Sequence, residues 1–482
     1  MRRFATAFAC LVTLSAAAPT MAQEAAYDVE GWHADAAQVR EAMTTRYANL
    51  EWAQTVREAD LGRAFAGADQ RLSMLKSDRE ARELFDGFSR YLGDGHVRFE
   101  WPSGAPAETS TPSRPRPPCA RVAGRKANVG KPIVATLPGY AAIETPGSAL
   151  FPAGTLPLDG RKVGVVRIAL FSADLEPKLC AEVLAEVNPK GGDCVDDCFN
   201  RLYYGVYGRL TLAFAEQLRA VKAAGAEVLI VDLTGNGGGS EWVEAAVRMV
   251  SGKRLKSSEV RVVRGDHWTK AYDRDIADIE AELRKAKSAD RALLKSHLAE
   301  LKTRRIDVAT PCDGAPLTTG KPLGCDYLAR GFHSSGPMAS ADPKALSGKS
   351  WASSLFNPVA FPYEEGVWSG PLVVAVDKDT ASAAEQFTAI IQDNKAGVIV
   401  GSPTLGSGCG FTNGGAPVTL KHSGGILRLP DCARFRADGT NEVGGISPDV
   451  LAGFHANEGP RAHAARLGAV LPQAVRLATQ VQ

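Results

Sequence analysis

The chain has 482 residues, with 45% hydrophobic and 23% charged residues and a formal net charge of +2. That balance predicts folded domains with at least one large core and excludes a disordered chain. No dense Lys/Arg block interrupts it, so neither nucleic acid nor an anionic membrane surface is an expected partner.

In chain order, residues 1–22 carry two arginines, an apolar stretch too short to span a bilayer, and small residues ending at Ala22. This is the layout of a secretory signal peptide cleaved after Ala22. It predicts an exported protein, periplasmic or secreted, without an integral membrane segment after signal removal. Setting Cys10 aside leaves eight cysteines, an even number that favours disulfides in an exported chain. Cys312 with Cys325 and Cys409 with Cys432 each bracket a loop-rich stretch. The pair in "DCVDDC" lacks a second Cys or His pair to complete a zinc site, so a disulfide is expected there too. Neither a metal nor a cofactor is expected.

Residues 23–101 read as an N-terminal helical domain. The capping signature "SDRE" precedes Ala81, Leu84, Phe85 and Phe88, which share one helical face. The domain ends in "YLGDGHVRFEW", where glycines break the helix and His96 precedes an alternating, strand-like run. Residues 102–158 read as a Pro/Ser/Thr-rich linker followed by a small β-like region. From 159 to 458, apolar strands such as "EVLIVDL" and "PLVVAV" alternate with helices such as "ASAAEQFTAIIQDN", which predicts an α/β core. Residues 459–482 form a helical tail. The core is interrupted by a long insertion, 251–370. Its Ile276, Ile279, Leu283 and Ala286, continued by Leu294, Leu298 and Leu301, predict a long helix or a helical hairpin breaking near Ser288. It is either a cover or partner-binding element, or a solvated decoration.

The residue that raises chemistry is Ser382, in "DKDTASAAEQF" between a buried strand and a helix. A serine hydroxyl attacks a carbonyl when a base takes its proton and N–H donors stabilise the oxyanion. The start of a helix favours developing negative charge, though Thr380 or Ser382 also suits a plain helix cap. "TGNGGGS", after the strand "EVLIVDL", supplies glycines whose backbone approaches a ligand closely. It lacks the Lys-Ser/Thr of a phosphate-binding loop and the spacing of a dinucleotide site.

Four ordered segments, "VLIVDLTGNGGG", "VAVDKDTASAAEQFTAIIQDN", "VGSPTLGSG" and "EVGGISPDV", resemble the core motifs of the tail-specific (C-terminal processing) serine peptidases. The resemblance implies a crotonase-like core of ββα units, a peptide or unfolded-protein substrate and an acyl-enzyme mechanism. It places the nucleophile on Ser382 and the oxyanion donors on Ala383 and on Gly237 or Gly238. The processing branch has a lysine base in a "T-F-G-K-G" segment, but this chain reads "TLGSG", with Ser407 at that position; Lys395 and Lys421 match no motif. The tricorn-like branch uses histidine and glutamate instead. "GDGHVR" resembles its histidine motif and "EVGGISPDV" its acidic one, which implies His96 as general base and Glu442 as the supporting acid. A hydroxyl residue often precedes that histidine in the branch; here Gly95 stands there.

His96 has seven rivals: His33, His267, His297, His333, His422, His455 and His463. His333, in the loop "GFHSSG", is the strongest; His422 suits a turn between strands, and His297, among charged residues, is expected to face solvent. Glu385, one turn after Ser382, is a possible auxiliary or simply a favourable first-turn charge. Ser407 is a possible substrate-loop hydroxyl. Residues 119–158 contain no convincing peptide-binding PDZ module, which leans the reading further toward the tricorn-like branch. The expected function is an exported serine peptidase; the alternative is a non-catalytic ligand- or peptide-binding protein on the same fold.

Overall fold

A computed structural model describes residues 27–102, 117–123, 130, 132–412 and 415–481. The signal segment and most of the Pro/Ser/Thr-rich linker lie outside the described residues. The N-terminal helical domain packs helices Val29–Arg46, Leu50–Thr55, Leu61–Leu72 and Asp78–Leu92 around Trp32, Met43, Tyr47 and Phe85. The Ser77 side chain accepts the Glu80 N–H and the Glu80 carboxylate accepts the Lys76 N–H, so both ends of the "SDRE" box are used. Gly93, at φ 67°, ends the last helix in the left-handed conformation that glycine adopts without strain. The chain then enters strand β1 (Arg98–Glu100).

The central sheet is built from β2 (Ala141–Ile143), β3 (Ala153–Leu158), β4 (Arg161–Arg167), β5 (Val228–Asp232), β8 (Leu372–Val376), β9 (Val398–Gly401) and β13 (Val450–Leu451). Its order is β13-β9-β8-β5-β4-β3-β2, parallel from β4 to β13 and antiparallel from β2 to β4. Every residue of β5 and β8 is buried, as expected of parallel strands covered on both faces. Side chains alternate between two cores with the two-residue period of a strand. Leu229, Val231 and Val374 face helices Asp196–Ala223, Val243–Met249 and Ala383–Asp393. Val228, Ile230 and Val373 face Leu467, Leu471 and Val475 of helix Pro460–Ala478. The helical tail is thus one of the three layers.

The division expected at residue 159 falls inside a hairpin. Asp159 and Gly160, at φ 53° and 74°, turn β3 into β4, whose ends pair Leu158 with Arg161. This is the two-residue Asp-Gly turn that matches strand twist, and it joins residues 141–158 to the central sheet.

The insertion holds more than helices. Its β6 (Glu259–Val263) and β7 (Leu328–His333) form an antiparallel sheet, β12-β6-β7, with β12 (Cys432–Phe435) of the core. Helices Asp266–Lys285 and Ser288–Ala309 form a hairpin against it. His297 does not face solvent: it is 7% exposed and packs 5.4 Å from the Phe332 ring. It shares a helix face with Leu294 and Leu301, and the charged residues that mark the segment lie on the other faces. Burial lowers its pKa to about 4. A third sheet, β1-β11-β10, joins β1 to β11 (Ile426–Arg428) and β10 (Val418–Thr419), tying the N-terminal domain to the core.

Disulfides link Cys312 to Cys325 and Cys409 to Cys432, the two pairs expected from spacing, and Cys194 to Cys198 in "DCVDDC". A fourth links Cys119 to Cys180. No helix among the described residues is long and apolar enough to cross a membrane.

Candidate active site

Because β5 and β8 are neighbouring parallel strands, the loops at their C-terminal ends lie side by side, where open α/β sheets place their sites. The loop after β8 is drawn tight by its own side chains. Thr380 Oγ1 accepts the Asp377 N–H at 2.9 Å and donates to Leu233 O at 3.1 Å, and Asp377 Oδ1 accepts the Gly235 N–H at 2.9 Å. Thr380 therefore closes the turn, and Ser382 is the residue at the helix start.

Ser382 has φ 56° and ψ −115°, a conformation that costs a non-glycine residue about 1–3 kcal/mol. Four hydrogen bonds over-determine it. Its N–H donates to Glu385 Oε2 at 2.8 Å, and its carbonyl accepts from Gln386 N at 3.0 Å and Arg434 Nη2 at 3.1 Å. The Ala381 N–H donates to Asn236 O at 2.9 Å, fastening the turn to the glycine run. Strain held this way at a strand-to-helix turn is the device that presents a nucleophile above a sheet.

The glycine run packs directly on that turn. Gly238 has φ 102°, and a Cβ there would stand 2.7 Å from Ser382 Cβ and 2.9 Å from Ala383 N. Gly238 N–H is committed to Asn236 Oδ1 at 2.8 Å. The N–H groups of Gly237 and Ala383 have no hydrogen-bond acceptor among the described residues. Of the three oxyanion candidates, these two are the ones left to a ligand.

His96 follows a turn between the helical domain and β1. The Asp94 carboxylate accepts the His96 N–H at 2.9 Å and is itself held by Tyr47 Oη and Asn49 Nδ2. Burial pushes the Asp94 carboxyl up to about 6, against the pull of those donors. The ring Nδ1 lies 2.8 Å from the Ser407 carbonyl. A carbonyl only accepts, so Nδ1 carries the proton and Nε2 is left with its lone pair. Nε2 faces Gly410, where a Cβ would stand 2.7 Å away. Phe411 packs edge-on to the imidazole, with centroids 5.5 Å apart. Burial lowers the His96 pKa to about 4, with the cations of Arg434 and Arg98 acting in the same direction and the Ser407 bond opposing them. The ring is neutral at pH 7.

The structure joins these parts through Glu385. Its buried carboxylate accepts Ser382 N–H, Ser407 N–H at 2.9 Å, Gly406 N–H and Thr404 Oγ1, both at 2.7 Å. Glu385 thus pins the loop that orients His96 to the turn that carries Ser382. Burial and the Glu442 charge raise its pKa. The Ser382 hydroxyl and the His96 ring share no hydrogen bond with each other in this structure.

Glu442 does not touch His96. It is buried against Arg434, whose Nε reaches both its oxygens at 3.0 and 3.1 Å and whose Nη2 reaches Oε1 at 2.5 Å. The same Nη2 donates to Ser382 O and to Gly408 O at 2.9 Å. Arg434, on β12, is the residue sequence reading missed; its one signal was a charged residue inside "DCARFR", a strand-like run. Ser407 is buried and serves through its peptide, and its Oγ lies 2.3 Å from where a Cβ on Gly95 would be. The other candidates share no hydrogen bond with Ser382, His96 or Glu385 among the described residues. Lys421 lies in an exposed turn and donates its N–H to Gln38, and Lys395 lies just beyond helix Ala383–Asp393, its carbonyl held by Lys253. His333 ends β7, with a buried Nδ1 that meets no partner among the described residues. His267 pairs with Asp431 at 2.8 Å, and His422 sits in the β10–β11 turn. No cluster of three or more His, Cys, Asp or Glu side chains suited to a metal occurs among the described residues.

Comparison with known proteins agrees with this architecture. No curated protein matches the chain. Among solved structures, mature CPAF is similar over 94% of this chain and 98% of its own, at 16% identity and TM-score 0.56. A mutant of CPAF matches over the same shares at 15% identity and TM-score 0.57, and mature CPAF complexed with lactacystin at 15% and 0.54. At these identities the likeness is one of fold. The sequence profile described as Peptidase family S41 matches residues 162–452, which take in the glycine run, Ser382, Ser407 and Glu442. The chain belongs to peptidase family S41, a family of serine peptidases.

Proposed function

We propose that this protein is an exported serine peptidase that cleaves peptides or unfolded proteins through an acyl-enzyme on Ser382, with His96 as general base. The observation that carries this reading is the Ser407 peptide, which accepts His96 Nδ1–H through its carbonyl while its N–H reaches Glu385 beside Ser382. It supports a neutral imidazole whose free Nε2, on the side of Gly410, takes the place of the lysine of the processing branch. Hydrogen bonds between catalytic groups are commonly long without substrate and tighten in the complex.

In the proposed reaction Ser382 Oγ attacks the scissile carbonyl while His96 Nε2 takes its proton. The N–H groups of Gly237 and Ala383 receive the oxyanion. The imidazolium returns the proton to the leaving amine, and water deprotonated by Nε2 then releases the acyl group. Glu442 acts through Arg434 as a positioning residue, fixing the Ser382 carbonyl and hence the turn. The core reads as crotonase-like: β5 and β8 each run into a helix on one face of the sheet. Export is supported by residues 1–22 and by four disulfides, which persist in oxidising compartments.

The test is covalent labelling with a fluorophosphonate. The native protein is expected to label and Ser382→Ala to lose all labelling together with peptide hydrolysis. Labelling that survives the substitution removes Ser382 from the mechanism, and a folded native protein that never labels favours a non-catalytic binding protein.

A further inference from the structure

The loop 404–408 is locked: Thr404, Gly406, Ser407 and Gly408 are buried and bonded to Glu385. Leu405 alone among them turns outward, 51% exposed, although its N–H is fixed to Thr380 O at 2.9 Å on the nucleophile turn. Its Cδ2 lies 3.3 Å from where a Cβ of Gly95 would stand, beside His96. A second apolar side chain, Phe411, packs edge-on to the same imidazole and is half-buried, with the Arg98 guanidinium 5.0 Å over its ring. The half of Leu405 left in water between the two elements adds nothing to the fold, since hydrophobic stabilisation requires removal from water. It gains when a ligand side chain covers it.

We infer that Leu405, with Phe411, forms an apolar wall of the substrate cleft and selects peptides that carry a large apolar side chain next to the scissile bond. This rests on the serine-peptidase reading above. The wall's rigidity gives it discriminating power, because the loop beneath it is anchored by buried hydrogen bonds and does not rearrange to suit a polar side chain. Gly95 contributes by lacking a Cβ, which would stand 2.3 Å from Ser407 Oγ and 3.3 Å from Leu405 Cδ2.

The experiment maps cleavage sites in unfolded casein by mass spectrometry, then compares kcat/KM for two fluorogenic peptides that differ by Leu or Gly beside the scissile bond. The native protein is expected to prefer the Leu peptide. Leu405→Ser is expected to lower the Leu-to-Gly ratio about 10–100-fold, the range that one hydrophobic contact provides, and Leu405→Met to retain it. Since the Leu405 side chain is half exposed, the Ser variant is expected to fold, which a thermal melt verifies. An unchanged ratio in Leu405→Ser, or a native protein without apolar preference, overturns the inference while fluorophosphonate labelling of the native protein leaves the peptidase reading standing. A native protein that neither labels nor cleaves overturns both.

Discussion

Ser382 stands at the end of β8, beside the glycine run that follows β5, and both strands are buried along their whole length. His96 sits in the turn just before the three-residue β1, at the exit of a separate helical core, and its ring hydrogen-bonds to a single carbonyl, that of Ser407. The serine side is therefore intrinsic to the central sheet, whereas the histidine side exists when the helical domain docks. The β1-β11 pairing and the hydrogen bond from Asn441 Nδ2 to Asn49 Oδ1 are part of that docking. In the proposed mechanism a site assembled this way keeps a strained Ser382 ready and makes His96 conditional on tertiary contacts, which break more easily than a core.

The sharpest way to break this comparison is to remove the base. His96→Ala is expected to lower kcat for peptide hydrolysis about 10²–10⁴-fold, with the melting temperature near native. His333→Ala, at a ring that ends β7 in the insertion, is expected to leave hydrolysis near native. If the His333 change alone abolished hydrolysis, the base would belong to the insertion.

Next in size is the ion pair beneath Ser382. Arg434 and Glu442 are both buried, with 7% and 0% of their side chains exposed. Arg434→Ala leaves Glu442 charged and unpaired, and is expected to destabilise the protein by about 3–5 kcal/mol. Adding Glu442→Gln to it is expected to recover part of that loss in urea unfolding, as coupled partners do. Simple additivity of the two single losses would show that the pair does not act as a unit.

A smaller effect is expected at Gly410, where a Cβ would stand 2.7 Å from His96 Nε2 and 2.9 Å from Cδ2. Gly410→Ala displaces the imidazole without touching the sheet. Misplacement of about 1 Å costs on the order of 10²-fold in rate, so kcat is expected to fall by roughly that much while fluorophosphonate binding before the covalent step stays measurable. Unchanged kcat would mean that the Nε2 edge is not the working face of the ring.

The unequal supports also explain what was legible in the sequence. Strands β5 and β8 read clearly because burial on both faces writes an unbroken apolar run, and the turns that follow them read because glycine and small residues are needed where backbones meet. The hairpin between β3 and β4 was overlooked although "LDGR" carries its Asp-Gly turn; proline and glycine in β3 masked the alternation. The strands of the insertion were hidden behind the stronger helical periodicity of residues 266–309. His297 was misjudged because charged neighbours describe the far faces of a helix, not the face that packs on Phe332. Arg434 left only a faint signal, a charge in a strand-like run: nothing local shows that it meets Glu442, the Ser382 carbonyl and the Gly408 carbonyl at once. Likewise the role of Ser407 lies in its peptide group, which every residue possesses, so no residue type could mark it.

The finest test of the comparison is the acid limb of activity. A solvated histidine titrates near 6.5, but burial lowers His96 to about 4, with Arg434 and Arg98 reinforcing the shift. The free base therefore persists well below neutral pH, and kcat/KM is expected to hold through pH 6 and decline on approach to about 4. The same shift sets a stability slope. Between about 6.5 and 4 the unfolded chain takes up a proton at this residue that the folded chain refuses, so the contribution of His96 to stability is full above 6.5 and is lost as pH falls toward 4. His96→Gln, which cannot gain that charge, is expected to flatten the slope of the urea midpoint across this window while abolishing hydrolysis. An acid limb centred at 6.5, with no change of slope in His96→Gln, would place the imidazole in water rather than against Gly410 and Phe411, and the docked arrangement of the histidine side would fail with it.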